Sequence, residues 1–88
     1  MGNKELNIRF EKAFEVASAM TEKLPQDLML RFYAYYKQAT FGNPANPNSF
    51  DVRNAFKYNA WLQARVLTQD EAKEKYIQLT NKLTGKNI

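Results

Sequence analysis

The chain has 88 residues, thirteen basic against nine acidic, a net charge of +4, 44% hydrophobic residues and neither cysteine nor histidine. One domain is what this length allows, predicted to span residues 1–88, with a core that buries about 60–65% of the unfolded surface. Disulfides and thiolate metal sites are excluded, as is any imidazole base or imidazole metal ligand, so enzyme readings start at a disadvantage and no metal site is expected.

The apolar residues Leu6, Phe10, Ala13, Phe14, Ala17 and Met20 recur at steps of three and four, which predicts an amphipathic first helix. Pro25 suits the first turn of a second helix, because the missing N–H has no intrahelical partner there in any case. Its apolar face is Leu28, Met29, Phe32, Tyr36 and Ala39, and Gly42 ends it. The prolines and asparagines of residues 42–49 predict a long loop, and long loops in compact domains are often functional. Asp51 is the expected N-cap of a third helix, with Phe56, Ala60, Ala64 and Leu67 on one side. Thr68 and Glu71 form a capping-box signature for a fourth helix, striped by Ala72, Tyr76, Leu79 and Leu83 and stopped by Gly85. No window alternates as a strand does, so the predicted fold is all-α: a four-helix bundle with a long loop between helices two and three.

No apolar run nears the ~18–20 residues that cross a bilayer, and the first dozen residues lack the apolar centre of a signal peptide. The expectation is a soluble cytoplasmic protein without stable membrane insertion. The excess of positive charge favours anionic partners without choosing among nucleic acid, acidic lipid and phosphorylated cofactors.

The second helix narrows that choice. Tyr33, Tyr36 and Lys37 stand at i, i+3 and i+4 on one side of it. A pocket for a phosphorylated purine needs a flat face for the base, a cation for phosphate and hydroxyl donors, and these three side chains offer all of them. Taken singly, each has a blander explanation as a half-buried amphipathic residue with its polar end in water. Lys57 and Arg53, four apart on the third helix, and Tyr76 on the fourth add side chains of the same chemistry.

On Tyr33-x-x-Tyr36-Lys37-Gln38-Ala39-Thr40, then Lys57-Tyr58-x-x-Trp61, then Glu71-Ala72-x-x-x-Tyr76-Ile77, the chain resembles the acyl-CoA-binding protein family, small four-helix proteins that carry long-chain acyl-CoA esters. The resemblance runs from about Phe10 to Leu83. It implies that Tyr33 contacts the phosphates of the coenzyme A head, that Tyr36 stacks on or flanks the adenine, and that Lys37 and Lys57 hold the ribose 3′-phosphate and nearby oxygens. By the same resemblance Tyr76 closes over the ribose and pantetheine arm, Arg53 stands where the family often has a basic residue, and Met29 and Leu30 line the groove for the acyl chain. The implied partner is a fatty acyl-CoA, bound as ligand rather than cofactor and without chemistry, by a monomer.

The chain departs from the family's usual pattern in five places. Tyr58 replaces a tryptophan, Phe14 and Phe56 replace small residues, Ser18 replaces a residue that is often basic, and the loop reads Asn46-Pro47-Asn48-Ser49 where the family commonly has Arg-Pro-Gly. The added rings of Phe14 and Phe56 are expected beside the acyl groove, where they would shorten or reroute it. The competing reading is a small basic helical nucleic-acid-binding domain. Against it, basic residues are spread over every helix and interrupted by acids, with no helix face that is continuously basic.

Overall fold

Seventeen residues from Lys4 to Met20 form α1, and the four it buries, Leu6, Phe10, Ala13 and Ala17, are spaced four, three and four apart, so one narrow stripe faces inward. Glu5 in the first turn complements the helix dipole. In a computed structural model of the chain, three further helices follow: α2 (Gln26–Phe41), α3 (Val52–Ala64) and α4 (Gln69–Thr84). The structure describes residues 4–20, 23–42 and 52–88, with the side chains of residues 52–55 excepted. The predicted loop over 43–49 and the Asp51 cap lie outside the described residues.

Pro25 caps α2 without a side-chain hydrogen bond; its carbonyl accepts from the amides of Leu28 and Met29, each at 3.1 Å. The helix stops because Gly42 turns to φ +79°, donating its N–H to the Gln38 carbonyl at 3.1 Å. Only Gln69 Nε2, 4.0 Å away, would meet a Cβ there, so backbone conformation rather than crowding calls for glycine. The capping box of α4 is complete: Glu71 N–H donates to Thr68 Oγ1 at 3.1 Å and Thr68 N–H to Glu71 Oε1 at 2.8 Å. Gly85, at φ +73°, ends α4 in the left-handed conformation.

Packing is built around α2 and α4. α2 lies against both α3 and α4, and α1 lies against α4. Ala13, Ala17 and Ala72 are fully enclosed, and such small residues let helix axes come close. Around them Phe10, Phe32, Tyr76, Ile77 and Leu79 make the core. The buried face of α4 is wider than its predicted stripe: Ile77 and Thr80 are enclosed, Thr80 donating to the Tyr76 carbonyl at 2.9 Å, whereas Leu83 is exposed. The α3 stripe is thinner than predicted, with Ala64 buried but Phe56 57% exposed, and Leu67, expected on α3, lies beyond its end in the turn before α4.

One buried amide sets α3 against α2. Gln38, 2% exposed, donates to the Leu67 carbonyl at 2.8 Å and accepts from Trp61 Nε1 at 3.3 Å, while Trp61 Nε1 also reaches the Gly42 carbonyl at 2.9 Å. A buried amide is costly unless satisfied, so these bonds fix one register between the C-terminal half of α2 and α3. That register brings Lys57 opposite Tyr33.

Candidate functional site

Two ammonium groups meet one phenol across the α2–α3 seam. Lys37 Nζ lies 5.7 Å from the centroid of the Tyr33 ring and Lys57 Nζ lies 5.4 Å from it. Lys37 is also 4.4 Å from the Phe41 ring and 5.7 Å from the Trp61 ring. Aromatic faces attract cations through their quadrupole, which holds the ammonium in place without neutralising it. Among the described residues neither lysine is paired with a carboxylate; the ion pair that is seen, Lys73 to Asp70 at 3.9 Å, lies on α4. Two like charges about one ring, with no carboxylate paired to them among the described residues, are a ready site for a multiply charged anion such as phosphate. Burial raises the pKa of Tyr33, so its hydroxyl stays a neutral donor beside them.

Tyr36, one turn further along α2, turns instead toward α1. Its ring stacks on Phe14 at 5.0 Å and 25° and lies near-parallel to Phe10 at 6.2 Å. The three residues singled out on α2 therefore split: Tyr33 and Lys37 join Lys57, and Tyr36 joins the aromatic cluster of α1. Tyr76 is the centre of that cluster, edge-on to Phe32 at 5.0 Å and to Phe10 at 5.1 Å, and only 2% exposed. No side-chain polar atom among the described residues is both buried and unpartnered. Burial first, and then the neighbouring Tyr36, push the Tyr76 pKa well above the ordinary phenol value.

That shift has a consequence for stability. A phenol whose pKa is higher in the folded state keeps its proton when the unfolded chain, at about pH 10, has begun to lose it. The contribution is complete below pH ~10 and is lost as pH rises toward the folded value. Denaturant unfolding of wild type and Tyr76→Phe between pH 8 and 11 should show wild type losing stability more steeply above about pH 10. Parallel curves would mean that Tyr76 ionises alike in both states.

A groove of about 690 Å³ lies between α2 and α3, lined by Leu30, Ala34, Tyr35, Phe56, Ala60, Ala64, Val66 and Leu67, with Asp27, Arg31 and Lys75 among its polar lining. The volume is in the usual range for small-molecule sites, and an apolar wall with charged groups suits an aliphatic chain. Of the expected groove residues, Leu30 and Phe56 line it; Met29 does not, and is 41% exposed. Phe14 is also absent from this lining and packs on Tyr36. The Arg53 side chain lies outside those described. No group of three or more His, Cys, Asp or Glu suited to a metal is found among the described residues, and none of the described helices is long and apolar enough to cross a membrane.

Sequence reasoning did not single out Gln38, Phe41 or Trp61 for the site. Gln38 was visible only as part of a motif; the Lys37–Phe41 contact is an i, i+4 pair within α2 that helical spacing offered, whereas the contact of Trp61 with Lys37 depends on how α3 docks on α2.

Comparisons with known proteins agree on one family. The family model described as "Acyl CoA binding protein" matches residues 7–80. The acyl-CoA-binding protein of Saccharomyces cerevisiae is 32% identical over 88% of this chain and 91% of its own length, and that of Dictyostelium discoideum is 35% identical over 88% and 94%. Acyl-CoA-binding domain-containing protein 5-B of Danio rerio is 37% identical over 86% of this chain, which spans only 20% of that longer protein. The crystal structure of Oryza sativa acyl-CoA-binding protein 2 superposes with a TM-score of 0.83 at 28% identity, covering 91% of each chain. With a four-helix fold, three motif blocks in order and a family match over most of its length, the chain belongs to the acyl-CoA-binding protein family.

Proposed function

We propose that this chain binds medium- to long-chain fatty acyl-CoA esters reversibly and without chemistry, acting as a monomeric cytoplasmic carrier and pool former. The observation that carries the reading is the pair of ammonium groups around Tyr33 at the α2–α3 seam, together with an apolar groove between the same two helices. Lys37, Lys57 and the Tyr33 hydroxyl take the phosphates, with Arg53 as a further cation. Tyr36 flanks the adenine, and Tyr76 serves the ribose or pantetheine arm. Leu30 and its apolar neighbours shelter the tail, Phe56 bounds the far end of that groove, and Met29 adds apolar surface outside it. The names of the relatives support the ligand class, and the nucleic-acid alternative gains no support from them.

Native mass spectrometry of protein purified from cells, followed by titration with palmitoyl-CoA, tests the reading. A retained mass matching an acyl-CoA, or stoichiometric uptake of added ligand with no free thiol released, is the expected result. Refusal of added palmitoyl-CoA would overturn binding, and steady release of thiol would overturn the non-enzymatic role.

A further inference from the structure

A second cleft of about 690 Å³ opens between α1, the end of α2 and the start of α4. Its aromatic wall is Phe10, Phe14 and Tyr36, and Glu11, Glu15 and Lys73 are among its charged groups. Lys73 is already engaged, with Nζ donating to Asn7 Oδ1 at 2.7 Å and lying 3.9 Å from Asp70, so the cleft offers phosphate no free cation and two carboxylates that repel it. A neutral flat base has no such objection to it. Phe14 is 40% exposed although its ring stacks on Tyr36 at 5.0 Å and 25°, so part of the side chain remains open to the cleft. A large apolar ring left exposed on a cleft wall is stabilised when a second flat apolar surface covers it.

We propose that Phe14 is a specificity-determining residue for the purine: with Tyr36 behind it, its ring forms the platform on which the adenine of the bound ester stacks. This rests on the acyl-CoA reading above and divides the head between two regions. The phosphates stay with Lys37 and Lys57 on the α2–α3 side, and the base reaches round Tyr36, which adjoins Lys37 in sequence, to the α1 side. Phe14 thus leaves the length of the acyl tail unaffected and governs affinity for the nucleotide.

The test compares wild type, Phe14→Ala, Phe14→Leu and Phe14→Trp by calorimetric titration with two probes below their micellar concentrations. One is palmitoyl-CoA; the other is palmitoyl-4′-phosphopantetheine, which lacks the adenosine together with its 3′-phosphate and one of the two bridging phosphates. Phe14→Ala and Phe14→Leu should each bind palmitoyl-CoA about tenfold more weakly, the scale of one lost base stack, and bind the truncated ester within about twofold of wild type. Leucine keeps apolar packing without a flat face, so its loss cannot be put down to unfolding. Phe14→Trp should retain affinity, with indole emission quenched by palmitoyl-CoA beyond the quenching that the same ligand causes in wild type, and no such extra quenching by the truncated ester. Unchanged or improved palmitoyl-CoA affinity in Phe14→Ala and Phe14→Leu, or equal losses for both probes, would overturn the platform while leaving acyl-CoA binding intact. Failure of wild type itself to bind palmitoyl-CoA would overturn both.

Discussion

Replacing Lys57 with alanine is expected to weaken acyl-CoA binding by about 1.5–3 kcal/mol, the scale of hydrogen bonds to charged groups, and Lys37→Ala should do the same. The two ammonium groups approach the Tyr33 ring from different helices, so each variant leaves the other cation in place. Their losses should add imperfectly, because both act on one polyanion. Stability separates the two sites. Lys57 is exposed, and its loss should hardly change unfolding. Lys37 also rests on Phe41 at 4.4 Å, a cation–π contact worth about 0.5–1 kcal/mol near the surface, so Lys37→Ala should cost that much in unfolding free energy as well. Calorimetric titration and urea unfolding of both variants check this. Wild-type affinity in both would remove the lysine pair from the head-group site.

The helices, and the ends of α2 and α4, were legible because their signals are local. Thr68 and Glu71 satisfy each other's backbone within one turn, and Gly42 and Gly85 need only their own φ angles. The inward stripe of α1 follows from spacing alone. What spacing could not say was which neighbour each side of α2 would meet. Residues three apart on a helix are separated by only about 60° around the axis, so Tyr33 and Tyr36 read as one face. That small angle is enough for Tyr33 to meet Lys57 on α3 while Tyr36 meets Phe14 on α1. Gln38 is the same case in polar form. An amide on a helix reads as surface until a carbonyl at Leu67 and an indole at Trp61 are brought to it from other elements. Phe14 and Phe56 were legible as departures from the family's small residues. Only the packing separates them, one on the α1 cleft and one in the α2–α3 groove.

Phe56 should set the length of acyl chain that the groove accepts. Its ring lines the α2–α3 groove but is itself 57% exposed, so it stands at the lining as an obstacle rather than in the core as a support. Each methylene buried along the groove is worth about 0.8 kcal/mol, so affinity should climb about tenfold or somewhat more for every two carbons until the tail meets an obstruction. Beyond that point added carbons remain in water and contribute nothing. Phe56→Ala should move this plateau outward by several carbons, and the longest chains should gain the most. A fully buried phenylalanine would cost about 3–5 kcal/mol to truncate, which threatens a domain of this size. With the residue 57% exposed, the cost should be about 1 kcal/mol. The alanine variant is then usable, and Phe56→Leu should give a smaller extension. Titrating both variants and wild type with saturated acyl-CoAs of increasing length, below their micellar concentrations, reads the plateau directly. If it falls at the same length in all three, the tail runs elsewhere than past Phe56, and the exposed surface of Met29 becomes its next candidate path.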